Sequence, residues 1–170
     1  MSLWWETFAT INKVKNLMQS WSTKECYDHI SPVAIPSHKA IIAIIKQARR
    51  ILFPGYFTSA RLHASNLEYY IGKETTELYD KLSEQIAMAI RPDCRRQDRP
   101  CTNCEQRASD LAYRFITTLP KIISILAQDI RATLEGDPAS KSPDEVIFSY
   151  PGLLAISVYR LAHELYALDV

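Results

Sequence analysis

Apolar residues recur at helical spacing along most of this chain. In the segment 41–52 they fall at the i, i+3, i+4 and i+7 positions of one helix face. The same period returns in four later stripes: Leu78, Leu82, Ile86 and Ile90; Ala108, Leu111, Ala112, Phe115 and Leu119; Ile122, Ile125, Leu126, Ile130 and Leu134; and Leu154, Val158, Leu161, Leu165 and Leu168. No run of strand length alternates strictly, and nothing repeats at the spacing of a solenoid. The pattern predicts an all-α fold, a multi-helix bundle with a helical hairpin and a long C-terminal helix.

Polar residues, prolines and glycines mark where these helices should begin and end. Ser37 stands at a capping position before the first segment, and Pro54-Gly55 stops that helix. The segment 62–71 is also helical in pattern, and we expect Gly72 to break or kink it. We expect the next stripe to end at Arg91-Pro92.

The second half of the chain carries more of these boundary signals. Pro120 interrupts one helical period, which predicts either two abutting helices or one kinked rod. Gly136-Asp137-Pro138 ends that helix, and Ser142-Pro143-Asp144-Glu145 opens the next with a capping box. Pro151 restarts the chain. The last helix shows no Gly, Pro or basic closing turn, so we expect it to be uncapped and to stop at a domain boundary, with its partner domain missing.

These boundaries predict a single α-helical domain over residues 1–170. Within it, we expect 1–36 to be less regular, 37–135 to form the helical bundle and 136–142 to be a loop. Residues 143–170 form the helices that lead to the absent domain. A domain of this size buries a core without needing disulfides or a metal.

Composition and charge narrow the classes of function. Hydrophobic residues make up 47% of the chain, and 20 Lys and Arg are balanced by 19 Asp and Glu, for a formal charge of +1. That balance gives no electrostatic case for binding nucleic acid. No apolar stretch reaches the roughly 20 residues of a membrane span, and the N-terminus lacks the order of a secretion signal. We therefore expect a cytoplasmic protein that binds neither nucleic acid nor membrane.

Three cysteines share one polar loop and are the candidates for a metal site. The spacing Cys101-x-x-Cys104 lets two thiolates reach one zinc ion, and Cys94 supplies a third ligand. A closed structural site needs a fourth ligand, for which Cys26 and His63 are the candidates, although no spacing argument places either nearby. Reduced surface thiols or a disulfide explain the same residues, so the trio remains a weak candidate and we predict no metal.

The histidines of this sequence match no catalytic or metal-binding motif, whereas one aspartate occupies an unusual position. His163-Glu164 is not followed by a second histidine four residues on, so the metalloprotease helix motif is absent. Asp137 follows a helix C-terminus, where the backbone dipole makes a carboxylate unfavourable, and such violations are candidates for functional positions. Gly-Asp-Pro is also simply a good turn. The residues alone leave both interpretations open.

The stretch from Leu126 onward resembles the end of the N-terminal helical domain of serine O-acetyltransferases, of the bacterial type with a long N-terminal domain. Three elements carry the resemblance in the family's order: Asp137-Pro-Ala, the turn Tyr150-Pro-Gly, and the helix Tyr159-Arg-x-x-His-Glu-Leu-Tyr. The cysteine loop and the helix after it also look like those of family members.

The resemblance implies an acyltransferase that moves acetyl from acetyl-CoA to the hydroxyl of L-serine, a step of cysteine biosynthesis. In the family, the helical domain precedes a left-handed parallel β-helix of hexapeptide repeats, which trimerises, binds CoA and carries a catalytic histidine. This chain contains no such repeat. We therefore expect no catalytic residue and no bound cofactor in this chain, and no activity from it alone. The resemblance also implies a homo-oligomer, either a trimer or a dimer of trimers.

One functional residue is carried over by position. The aspartate of the family's Asp-Pro-Ala element reaches into the serine pocket, and here that residue is Asp137. A carboxylate suits this role because it pairs with the ammonium group of a free amino acid. The same pocket accepts cysteine as an inhibitor in the family. Arg160 and His163 match family positions, and we assign them to packing and interdomain contacts.

Two alternatives belong to other classes of protein. One is a stand-alone α-helical interaction module, which docks a partner through the apolar face of Trp4, Trp5 and Phe8 or through the final helix. The other is a metal-responsive or redox-responsive domain centred on the three clustered cysteines.

Overall fold

The computed structural model describes residues 35–96 and 103–170, with side chains described for 35–91 and 103–170. These residues form five helices and no strand: α1 (His38–Leu52), α2 (Ala64–Arg96), α3 (Cys104–Gly136), α4 (Pro143–Ser149) and α5 (Pro151–Ala167). The predicted all-α fold is confirmed. The candidate face at Trp4, Trp5 and Phe8 lies outside the described residues. None of the described helices is both long and apolar enough to cross a membrane.

Two helices of 33 residues each, α2 and α3, form the centre of the bundle. At 1.5 Å per residue each is about 50 Å long. They pack against each other more extensively than any other pair of elements. Near the end of α2, the Arg91 guanidinium donates to Glu105 in the first turn of α3 at 3.0 Å. The two helices are therefore antiparallel, which is the predicted helical hairpin.

The apolar stripes read from the sequence meet in one core. Helix α1 packs mainly on α2, while α4 and α5 pack on α3. The largest fully buried apolar side chains come from α2, α3 and α4: Leu78, Ile86, Phe115, Ile122, Leu126 and Val146. The hairpin thus supplies most of the surface on which the shorter helices are placed.

A buried polar network fixes α1 on α2. Gln47 has no exposed surface, yet its amide nitrogen donates to the Glu74 carbonyl and to Glu77 Oε2, both at 3.1 Å. Its amide oxygen accepts from Lys81 Nζ at 2.5 Å. A buried amide that lost these partners would be costly, so the network specifies how α1 lies along α2.

The predicted helix starts are confirmed. Ser37 Oγ accepts from the N–H of Ala40 at 3.4 Å, and Ser142 Oγ accepts from the N–H of Glu145 at 3.2 Å. Glu145 Oε2 in turn accepts from the N–H of Lys141 at 2.9 Å. This return bond goes to the residue before the cap, one position earlier than in the usual capping box.

Two predicted helix breaks, at Gly72 and at Arg91-Pro92, are wrong, and the alternative left open at Pro120 is decided in favour of one helix. Helix α2 runs through Gly72 and continues past Pro92 to Arg96, and α3 runs through Pro120 as one helix. A glycine costs a helix about 1 kcal/mol relative to alanine and a proline about 3 kcal/mol. Around Pro120, burial of Phe115, Leu119 and Ile122 on the same helix outweighs this local cost, which local sequence rules do not include.

The prediction that the last helix is uncapped is also wrong. Helix α5 ends at Ala167, and the next residues form a Schellman motif. The N–H of Val170 donates to the Leu165 carbonyl at 3.2 Å, and that of Asp169 donates to the Tyr166 carbonyl at 3.0 Å. Asp169 occupies the left-handed region at φ 58°. Glycine usually occupies this left-handed position, so the aspartate there gave no sequence signal of the motif.

We predict that Phe115→Ala lowers the free energy of unfolding by about 3–5 kcal/mol, because it leaves a cavity in the centre of the hairpin. Phe115 is 2% exposed. The matched control is Tyr113→Ala on the same helix, where the side chain is 64% exposed and the expected loss is about 0.5 kcal/mol or less. Urea denaturation measures both, and equal losses would contradict the assignment of the core.

Candidate functional site

Asp137 lies in the loop between α3 and α4, and its backbone is held from both sides. Its N–H donates to the Thr133 carbonyl at 2.9 Å. Its carbonyl accepts from the N–H of Ser140 at 3.0 Å and from the hydroxyl of the same serine at 2.8 Å. The residue is therefore fixed at the end of α3, ahead of the Ser142 cap that starts α4.

The carboxylate of Asp137 receives two hydrogen bonds, one at each oxygen. Oδ1 accepts from the N–H of Ala139 at 2.9 Å, a local turn bond. Oδ2 accepts from the hydroxyl of Tyr150 at 2.8 Å. Tyr150 is the residue between α4 and α5, and its ring packs against the core. A side chain anchored in the bundle thus orients the carboxylate.

These bonds favour the ionised form of the carboxylate. The Tyr150 hydroxyl, and after it the Ala139 N–H, hold the pKa of Asp137 below its ordinary value, while partial burial opposes them. The same hydrogen bond, with burial and the charges of Asp137 and Glu145, raises the pKa of Tyr150. A carboxylate offers about four lone-pair sites, of which two are used here. The partly exposed group keeps the capacity to accept from a cationic ligand.

Sequence reasoning named Asp137 as a candidate but did not connect it with Tyr150. The aspartate looked uncompensated at a helix C-terminus, and its compensation comes from a hydroxyl 13 residues along the chain. The available signal was a tyrosine at the N-cap position of α5, a place usually taken by a short polar residue. Tyr150 makes no side-chain cap bond to α5, which leaves its hydroxyl for Asp137.

Charged residues join α5 to α3. Arg160 makes a two-pronged pair with Asp129, with Nε to Oδ2 at 2.9 Å and Nη2 to Oδ1 at 2.8 Å. Glu164 accepts from Lys121 at 2.8 Å. The exposed His163 ring stacks on the ring of Tyr159, one turn earlier in α5. Together with Arg160 and Glu164, His163 also lines a groove of about 230 Å³. Arg160 therefore contributes to packing of α5, while His163 is presented at the surface.

The cysteine candidates are only partly within the described side chains. Cys104 is 6% exposed at the start of α3 and is disulfide-bonded. The side chains of Cys26, Cys94 and Cys101 lie outside the described residues. His63 is exposed in the loop before α2. Among the described residues, no group of three or more His, Cys, Asp and Glu side chains is arranged to hold a metal ion.

Comparison with known sequences gives one long match. The chain is 35% identical over 139 residues to the plasmid serine acetyltransferase of Synechococcus elongatus, covering 80% of this chain and 44% of that protein. Shorter matches of 43% over 49 residues and 47% over 45 residues are to the serine acetyltransferases of Synechocystis sp. and Mycobacterium tuberculosis. Each of these covers 20% of the relative. No family model matches the chain.

Solved structures agree with the sequence match. The chain aligns with native serine acetyltransferase 1 of Entamoeba histolytica at a TM-score of 0.58 and 25% identity, over 92% of this chain and 52% of that one. It aligns with the L-cysteine complex of the same protein at a TM-score of 0.56 and 29% identity, over 72% and 40%. The chain is homologous to the serine acetyltransferases. The resemblance read from the three motifs is confirmed, and the N-terminal helical region of that family is the part that fits.

The chain spans less than half the length of the serine acetyltransferases it matches in sequence.

The three motif elements of the chain lie on connected parts of the fold. The Asp-Pro-Ala element and the Tyr-Pro-Gly turn meet through the hydrogen bond from Tyr150 to Asp137. The third element is tied to α3, the helix that Asp137 ends, through Arg160. Residues that stood out as separate motifs thus support one another in this serine acetyltransferase homologue.

We predict that Tyr150→Phe raises the pKa of the Asp137 carboxyl toward its ordinary value, because the largest stabilising hydrogen bond is lost. A carboxyl whose folded pKa is lowered contributes stability above its unfolded pKa and loses it as pH falls through the folded pKa. When the pH is lowered from mildly to strongly acidic, the free energy of unfolding of the variant should therefore fall less than that of the parent chain. NMR titration of the carboxyl carbon measures the pKa.

Tyr113→Phe is the matched control, because its exposed ring lies on the outer side of α3. It should leave the Asp137 titration unchanged. An Asp137 pKa that is the same in Tyr150→Phe and the parent chain would contradict the assigned hydrogen bond.

Proposed function

We propose that this chain is the helical region of a serine O-acetyltransferase, the enzyme that converts acetyl-CoA and L-serine to O-acetyl-L-serine and CoA in cysteine biosynthesis. The observation that carries the proposal is the identity over 139 residues with the Synechococcus elongatus enzyme. The oriented, ionised carboxylate at the Asp-Pro-Ala element adds independent support. Homology of this extent favours the enzyme over a stand-alone interaction module.

The reaction needs groups that we expect outside this chain. The serine hydroxyl oxygen attacks the thioester carbonyl and its proton passes to a general base. The carbon–sulfur bond then breaks, and the protonated base returns that proton to the sulfur, which releases CoA as a thiol. The family resemblance assigns the base to the β-helix domain. The helical region then contributes to binding the amino acid, so this chain by itself should have no transferase activity.

Asp137 has the chemistry that a free amino acid requires. L-Serine carries an ammonium group, and a hydrogen bond between two charged groups is roughly twice as strong as a neutral one. The carboxylate is ionised, partly exposed and held in one orientation by Tyr150. Cysteine carries the same ammonium group, with a thiol in place of the hydroxyl. We propose that Asp137 pairs with serine and with cysteine as an inhibitor.

Self-association belongs to the same proposal. Helix α5 presents large apolar side chains to solvent, including Leu154 at 42%, Tyr159 at 62% and Tyr166 at 76% exposure. Exposed apolar surface of this kind is typical of contacts with other domains or subunits. A homo-oligomer, either a trimer or a dimer of trimers, is the assembly that the family resemblance favours, and light scattering distinguishes the two by mass.

An assay of serine-dependent CoA release tests the enzyme assignment directly. We expect activity from a protein in which this chain is joined to the β-helix domain of a serine acetyltransferase, and none from the chain alone. Activity of the chain alone would contradict the assignment of the general base to the β-helix domain. The absence of activity in both, with correct folding shown by circular dichroism, would overturn the proposed function.

We predict that Asp137→Asn in the joined protein raises the KM for serine about tenfold or more, because the charge that pairs with the ammonium is removed. The KM for acetyl-CoA should change little. Asp110→Asn, an exposed aspartate on α3, is the matched control and should leave both constants unchanged. Equal losses for both substrates would mean that the carboxylate holds structure rather than serine.

A further inference from the structure

The C-terminal half of α1 carries a group of cations that the proposed function does not use. Lys46, Arg49 and Arg50, with Phe57 from the loop after α1, line a groove of about 300 Å³. The spacing of i, i+3 and i+4 places the three cations on one side of the helix. We call this the basic groove.

Two of the three cations have no counter-charge within the described part of the chain. Arg50 pairs with Glu74, with Nε to Oε2 at 2.8 Å. No ion pair of the described residues includes Lys46 or Arg49. The basic groove therefore carries two positive charges that nothing described neutralises.

Arg49 is held in place but incompletely satisfied. Its guanidinium carbon lies 3.9 Å from the centre of the Phe57 ring, in cation–π contact. Its Nε is buried and has no hydrogen-bond partner among the described residues. Burial also lowers the pKa of this arginine. A desolvated donor of this kind is costly to leave unpaired.

The Phe57 wall is itself fixed by the bundle. Its ring packs edge-to-face on Phe53 at 6.2 Å and on Phe148 of α4 at 5.7 Å between ring centres. Arg49 therefore rests on a surface that is organised before any ligand arrives, which lowers the entropic cost of binding.

The helix dipole explains only part of the arrangement. Cations in the last turn of a helix are stabilised by the negative end of the dipole, which accounts for Arg49 and Arg50 being there. It does not supply an acceptor to the buried Nε of Arg49, and it does not account for Lys46 one turn earlier.

We propose that the basic groove binds a phosphate group, either as free phosphate or as part of a small molecule, with Arg49 and Lys46 as its ligands. The dianion matches the two uncompensated charges. The planar guanidinium offers donors along its edge while its face rests on Phe57, and Lys46 adds a point charge. This binding site is separate in residues from the serine pocket proposed at Asp137, and it stands whether or not that pocket exists.

Titration of the 170-residue chain with inorganic phosphate at constant ionic strength tests the site. The NMR signal of the Arg49 Nε–H, assigned by its loss in Arg49→Lys, should shift in a saturable way. Lys46→Gln should raise the dissociation constant for phosphate about tenfold, because one charge-assisted contact is lost. Lys46 is exposed, so this variant should keep the fold. Lys39→Gln, the same charge change at an exposed position near the start of α1, should bind within twofold of the parent chain.

Each outcome decides the proposal. A shift that never saturates, or equal weakening in Lys46→Gln and Lys39→Gln, would mean general charge screening and would overturn the site. Tighter binding of acetate than of phosphate would overturn the choice of ligand. Tighter binding of adenosine monophosphate than of inorganic phosphate supports a phosphate carried by a larger molecule, and the reverse supports free phosphate.

Discussion

The apolar seam between the two long antiparallel helices is the contact on which the other described helices depend. Helices α2 and α3 pack along each other, and their buried residues form most of the core. Fully burying one large aliphatic or aromatic side chain contributes about 1.5–3 kcal/mol. Phe115, Leu119 and Ile122 are all buried around Pro120, so their combined contribution exceeds the local cost of the proline. The seam thereby keeps α3 as one helix that delivers Asp137 to its end.

The end of α3 shows how one hydrogen bond serves structure and chemistry together. A carboxylate beside a helix C-terminus is unfavourable, and the Tyr150 hydroxyl compensates for it. The tyrosine is placed because α4 packs on α3 and α5 follows at once. The geometry that stabilises the loop also leaves the carboxylate with unused lone pairs, on which the proposed pairing with an amino acid depends.

The loop after α1 connects the basic groove to the same region. Tyr56 donates to Asp144 at 2.5 Å, and Phe57 packs on Phe148, so both contacts are made to α4. Helix α4 begins just after the Asp137 loop. A short helix of seven residues is therefore the neighbour of both candidate sites. Their ligands differ in kind, since one site offers a carboxylate and the other offers cations.

The sequence by itself determined the all-α class and the helix starts at Ser37 and Ser142, and it marked Asp137 as a candidate, because helical period, capping and local dipoles act within a few residues. Only the tertiary structure decided that α2 passes Gly72, that α3 passes Pro120, and that Tyr150 holds Asp137. The last two outcomes depend on contacts between residues far apart in the chain, which local sequence rules do not include. The Schellman motif at Asp169 was not predicted for a different reason. Its hydrogen bonds are all between backbone groups, and the glycine that usually marks it is absent.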